Sequence, residues 1–244
     1  MPSSFKSVQR PYAFGLVLSA AASAVWGIPH AFASGMRPET TVVIIEEASG
    51  TAQMKITNSE NEPALLVSTI YSLPEDKDPL ITLTPPLNRV DAKGSQLVNF
   101  FLLNKGEPLK TQRLRRVTFE GLPVTDGQSG ARINMSIKQD LPVIINPKGL
   151  AKENEPWKYL KWSVEGKQLM VENAGPYVVR LSDKVELLPA ARSVSLGQNY
   201  LMAQSKKTFA LPDTPLGSIT IVRIHPSNLY GFSEKSHDFV LNKH

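Results

Sequence analysis

The sequence predicts an all-β protein built from two β-sandwiches. Three observations carry this. Apolar and polar residues alternate with period two in segment after segment. These segments recur every 10 to 20 residues or so, with turn residues between them, and no stretch of comparable length shows helical periodicity. A polar segment rich in Pro and Gly then divides the strand-forming chain in two.

The elements follow in order. Thr41 to Ile45 is a β-branched run, and Ala48-Ser49-Gly50 turns the chain. Ala52, Met54 and Ile56 alternate with Gln53, Lys55 and Thr57, a strand with one buried face. Ala64 to Tyr71 is the next strand, then Ile81 to Thr84, stopped by Pro85-Pro86. Gln96 to Leu103 and Leu114 to Phe119 follow. Ile133, Met135 and Ile137 alternate with Asn134 and Ser136, forming the last strand of this set. Seven or so strands between Arg37 and Ile145 suit one immunoglobulin-like sandwich. Residues 148–156 read as a linker. The second set comprises Lys161–Glu165, Gln168–Glu172, Val178–Leu181, Val185–Leu188, Lys207–Leu211 and Ser218–Ile224. The expected organisation is a first domain over 34–147 and a second over 157–244.

Residues 1–33 read as a secretory signal. Lys6 and Arg10 give a positive start, Ala13 to Ile28 is apolar, and Ala31-Phe32-Ala33 is a small-x-small cleavage pattern. The alternative is an uncleaved anchor, but the stretch is rich in Ala and Ser. Without Lys6 and Arg10 the net charge falls from +5 to +3, too weak and dispersed to indicate nucleic acid as a partner. The chain has no cysteine, which excludes thiol chemistry and requires an exported protein to rest on ordinary cores.

The motifs of catalysis are missing. There is no G-x-S-x-G, no phosphate loop and no H-E-x-x-H. His225, His237 and His244 lack metal-ligand spacing; His225 and His237 read as solvent-exposed, and His244 is the last residue. Asp76 and Asp78 lack the spacing and closing Glu of a calcium loop and read as a solvated turn. No enzyme activity, cofactor, metal or small-molecule substrate is expected. Lys110, Arg113, Arg115 and Arg116 form a basic cluster, read as charge protecting an edge strand, with a partner-facing basic strip as the other option. Trp157 and Trp162 are assigned to core packing.

Several segments resemble the periplasmic pilus chaperones of the chaperone–usher pathway, the PapD-like family. Leu80-Ile81-Thr82-Leu83-Thr84-Pro85-Pro86-Leu87, followed by Lys93-Gly94 and Gln96-Leu97-Val98, is similar to that family's T-P-P-[LV] strand end and Q-x-[LV]-R strand start. Asn99 stands where that pattern has Arg. Met54 to Asn58 and Phe119 to Pro123 resemble two further strand ends. Leu169 to Tyr177 is similar to L-x-[LIV]-x-N-x-[TS]-P-[YF], with Gly175 in the Thr/Ser place. The resemblance runs through the whole chain after residue 33.

This resemblance implies two immunoglobulin-like domains in a boomerang arrangement. It implies a periplasmic chaperone that lends a strand to an incomplete pilus subunit and delivers it to an outer-membrane usher. The lent residues would be Ile133, Met135 and Ile137, which otherwise would fill the domain's own core. Such an uncovered apolar strand also invites self-association when no client is bound. The family grips the client's terminal carboxylate with one Arg and one Lys. Ungapped alignment puts those positions at Val42 and Pro142, which cannot do so. Arg37 and Lys138 are the nearest substitutes, with Arg89, Arg115 and Arg116 as further candidates, and Pro142 is expected to disturb its strand. The segment Val124 to Gly130 is short, as in the short-loop class of these chaperones. The competing reading is a structural pilus or surface-adhesin component. It is disfavoured because Ser34 to Thr41 lacks the alternating apolar donor segment a pilin would carry.

Overall fold

The computed structural model describes residues 35–103, 106–124, 136–211 and 219–243. Residues 34–244 form one compact unit. Its first part contains β1 (Met36–Pro38), β2 (Val43–Glu46), β3 (Thr51–Asn58), β4 (Ala64–Tyr71), β5 (Ile81–Thr84), β6 (Leu87–Val90), β7 (Ser95–Leu102), β8 (Arg113–Pro123) and β9 (Lys138–Asn146). They make two facing sheets, ordered β1-β3-β7-β5 and β2-β9-β8-β4-β6. The alternation read in the sequence becomes the core. Met54, Ile56, Val98 and Phe100 from one sheet meet Val43, Ile45, Leu66, Val117, Phe119, Val143 and Ile145 from the other. These side chains point inward because successive residues of a strand face opposite sides.

The second part contains β10 (Leu160–Glu165), β11 (Gln168–Asn173), β12 (Val179–Leu181), β13 (Lys184–Pro189), β14 (Arg192–Ser195), β15 (Tyr200–Leu201), β16 (Ser205–Ala210), β17 (Ile219–Ile224), β18 (Pro226–Ser227), β19 (His237–Val240) and β20 (Asn242–Lys243). The sheets run β16-β11-β10-β20, β15-β12-β18 and β14-β13-β17-β19. Trp157 and Trp162 lie in this domain's core, as expected. The Trp162 indole nitrogen has no hydrogen-bond partner among the described residues.

Two asparagines in the motif segments are structural. The buried Asn58 amide donates to the carbonyls of Glu62, Val90 and Asp91, tying the β3 end to the β6 end. Asn173 donates to Tyr177 and Met202 and accepts from the Gly175 N–H. Asn suits both places because one side chain satisfies several backbone groups that burial removes from water. Gly175 also has a reason for departing from Thr or Ser. A Cβ there would lie 2.8 Å from the Tyr159 ring, which stacks on Tyr177 at 5.8 Å. Gly175→Thr is therefore expected to cost about 1–3 kcal/mol through overpacking. Denaturant unfolding checks this, and the added Tyr159→Ala change should remove the steric part.

A third apolar cluster joins the two sandwiches. Val42, Leu114 and Ile144 of the first pack with Val178 and Met202 of the second, flanked by Ile44, Tyr200 and Leu229. Gln112 spans the same junction. Its amide nitrogen donates to Asn146 at 2.8 Å, its side-chain oxygen accepts from the Val178 N–H at 2.8 Å, and its own N–H donates to the Pro176 carbonyl at 2.8 Å.

The basic cluster on β8 corrects one expectation. β8 lies in the interior of its sheet, paired with β4 on one side and β9 on the other, so its charges protect no edge. Arg115 is fully buried. Its Nη1 and Nη2 each donate to Asp76 at 2.8 Å, and Arg113 Nε donates to the same carboxylate at 2.6 Å. Asp76 is thus no solvated turn residue; it pins the loop after β4 onto β8. The His225 side chain is exposed, as expected, with its Nε2 2.9 Å from the equally exposed Glu186.

Candidate functional site: the open edge of β9

β9 begins at Lys138 and follows directly on Ile137, two of the expected site residues. β8 covers one of its edges from Lys138 to Ile145 without a shift in register. On the other edge, β2 pairs in parallel only with Val143 to Asn146. Among the described residues no strand pairs with Lys138–Pro142 on that side. Pro142 sits inside β9, opposite Arg116, and does not break it, against expectation. Proline is tolerated where its nitrogen faces an unpaired strand edge, which fits the place where β2 coverage stops.

The two faces of β9 differ. Leu141, Val143 and Ile145 enter the core, whereas Lys138, Asp140, Pro142 and Ile144 lie on the opposite face. Ile137 immediately precedes β9 and is 37% exposed, high for an isoleucine. Its Cβ lies 3.8 Å from the position a side chain would occupy at Gly35, at the head of β1. Ile133 and Met135 lie outside the described residues, as does nearly all of the short segment before them. Of the three apolar residues of the expected strand only Ile137 is described, ahead of a strand that starts at Lys138.

The two expected anchors lie on different sheets, Lys138 at the start of β9 and Arg37 on β1. Arg37 is exposed on β1, opposite Thr57, and makes no ion pair among the described residues. Lys138 Nζ lies 3.0 Å from Glu120, whose other oxygen accepts from Ser136. This contact raises the Lys138 pKa and lowers that of Glu120, chiefly through their hydrogen bond. Lys138 is four residues from Pro142, about 13 Å along an extended strand. The position that ungapped alignment gives for the first-strand Arg, Val42, is buried in the cluster between the two domains.

The other end of β9 runs into the cleft between the sandwiches. Ile44, Ile144 and Asn146 line it from the first domain, Arg180 and the turn Ser227–Tyr230 from the second. Arg116 leans over β9, its Nε donating to the Asp140 carboxylate at 2.9 Å and its Nη2 to the Asp140 carbonyl at 3.1 Å. Arg180 Nη1 donates to the Leu229 carbonyl at 2.7 Å. Burial and the Arg116 charge lower the Arg180 pKa. Sequence reasoning named Arg116 as a candidate but passed over Arg180. Nothing in its local pattern separates it from a surface residue of a short strand.

The chain matches two family models in sequence: the pili and flagellar-assembly chaperone, PapD N-terminal domain, over residues 35–151, and the pili assembly chaperone PapD, C-terminal domain, over residues 155–237. A fimbrial chaperone of Escherichia coli, YhcA, is 39% identical over 201 residues, covering 82% of this chain and 88% of its own. The caf1M chaperone of Yersinia pestis is 25% identical over 71% of this chain and 73% of its own. Among solved structures, a chain of the Salmonella enterica complex of the SafA pilin with the SafB chaperone superposes with a TM-score of 0.70. It is 21% identical and covers 84% of this chain and 96% of its own. The Escherichia coli chaperone DraB gives 0.69 at 19% identity, covering 85% and 99%. The two-domain fold expected from the sequence is therefore the fold of solved pilus chaperones, and the chain belongs to the PapD-like family of pilus-assembly chaperones.

Proposed function

We propose that this protein is exported by its N-terminal 33 residues and acts in the periplasm. There it holds pilus subunits by adding the strand around β9 to them, and it passes them to an outer-membrane usher. The observation that carries this is the open edge of β9 from Lys138 to Pro142, preceded by the exposed Ile137. Unpaired N–H and C=O groups beside apolar side chains recruit another strand. A subunit short of one strand supplies the complementary groove, and Ile133, Met135 and Ile137 would fill it at alternate positions. Arg37 and Lys138 flank the outer end of this edge as client contacts. Lys138 must release Glu120 before gripping a carboxylate. In the absence of a client the same edge would pair with a second copy.

The test is to express a fimbrial subunit from the same organism in a periplasm with and without this protein. An equimolar soluble complex that appears only with the protein is expected. Recovery of this protein as a repeating component of sheared surface fibres would overturn the reading in favour of a structural role.

A further inference from the structure

A strand edge offers a neighbour only the N–H and C=O groups that point toward it, and these belong to alternate residues. In β9 the side that faces β2 is fixed by one bond: the Asn146 carbonyl accepts from the Glu47 N–H at 2.8 Å. β9 keeps its register with β8 from Lys138 to Ile145, so the alternation is unbroken. Ile144, Pro142, Asp140 and Lys138 therefore turn their main-chain groups to the same side as Asn146. Lys138 and Asp140 each offer a donor and an acceptor there. The Asp140 carbonyl already accepts from Arg116 Nη2 at 3.1 Å and keeps a second lone pair. Pro142 offers only its carbonyl, because its ring nitrogen carries no hydrogen.

The next donor on this side, at Ile144, falls within the β2 pairing, which begins with Val43 opposite Val143. The proline thus stands between two stretches of one edge. Beyond it lies β2, and before it lie the groups that no strand covers among the described residues. The start of β2 does not by itself mark the boundary. It leaves Leu141 and Pro142 uncovered, which is room for a partner to advance past Asp140 by one pair of residues. The missing N–H opposes that advance. A partner carbonyl brought to Pro142 would lose its water and find no donor.

We infer that Pro142 sets the register of the added strand: the client's last paired carbonyl accepts from the Asp140 N–H, and the client pairs no further along β9. This rests on the strand-addition reading and deepens it. Pro142 is a positioning residue. It acts through the donor it lacks and needs no contact with a client side chain, so it sets the same stop for clients of different sequence.

The experiment reads register by crosslinking. The chain has no cysteine, so an introduced one is unique. Lys138→Cys is co-expressed in a periplasm with a fimbrial subunit from the same organism, which carries single added cysteines at successive positions of the strand bordering its groove. Residues directly opposite each other on paired strands lie within disulfide reach. One subunit position is expected to crosslink about tenfold more than those two residues away, as for one hydrogen bond left unmade. Pro142→Ala restores the N–H and should raise the yield two residues away at least to parity, and Pro142→Thr should act alike. Asp140→Pro combined with Pro142→Ala should move the dominant position two residues in the opposite direction. Thermal unfolding checks each variant. A dominant position that stays unchanged in the folded Pro142 variants overturns the assignment. Several equal positions with Lys138→Cys alone overturn the stop and leave strand addition standing. A complex that forms but crosslinks at no position overturns strand addition at this edge.

Discussion

Ile137→Asp is expected to abolish stable capture of a pilus subunit, weakening the complex by at least about a hundredfold, while the free protein unfolds as before. The two halves have different physical origins. In the free chain Ile137 is 37% exposed and lies outside β9. A surface change of this kind moves stability by about 0.5 kcal/mol or less. In the complex the same side chain would enter an apolar groove. A buried carboxylate with no partner there costs several kcal/mol, and about 2.7 kcal/mol already corresponds to a hundredfold in affinity. The measurement is the yield of co-purified subunit beside the midpoint of thermal unfolding. A variant that keeps its subunit would remove Ile137 from the lent strand. One that loses it only by unfolding would return Ile137 to the domain's own core.

Asp76→Ala should be the most damaging change far from the client site, costing about 3–5 kcal/mol, because it leaves buried Arg115 without its counter-charge. Arg115 would keep only the neutral carbonyls of Leu114 and Asp78 as acceptors, and its Nε lacks a partner among the described residues. Adding Arg115→Met should recover much of the loss, since an apolar side chain of similar length needs no partner. The same pair sets an acid limit. Burial pushes the Asp76 carboxyl up, but hydrogen bonds from Arg113 and Arg115, with both their charges, outweigh it and hold the group well below the usual carboxylate range. A carboxyl whose folded pKa is depressed adds stability above its unfolded pKa. That contribution falls away as pH drops below the ordinary carboxylate range toward the lowered value. Urea unfolding of wild type and Asp76→Ala at falling pH should therefore show the two converging in strong acid.

The sequence and the structure agree best where alternation decides the outcome. Met54 and Ile56, or Val117 and Phe119, can face only one way once the strand exists, so their burial was legible. The motif asparagines were visible as motifs, but their partners are backbone carbonyls that only the fold brings together. β8 shows the limit. Its arginines look like edge protection along the chain, because strand order within a sheet leaves no mark in a local pattern. The Asp76 clamp depends on contacts across 37 and 39 residues. Pro142 read as a strand breaker because its flanking ladder partners could not be known. Arg180 was passed over because its place in the cleft comes from contacts across the fold, not from its neighbours in the chain.

The central claim is that the open edge of β9 becomes a paired edge in the client complex. Amide hydrogen exchange across Ile137–Leu141, compared between the free protein and its complex with a co-expressed subunit, tests it most directly. Amides of the open edge should exchange readily in the free protein and slow by about a hundredfold or more in the complex, as backbone hydrogen bonds form along that edge. Unchanged exchange at Ile137–Leu141, with new protection confined to other surfaces such as the outer face of β7, would contradict it.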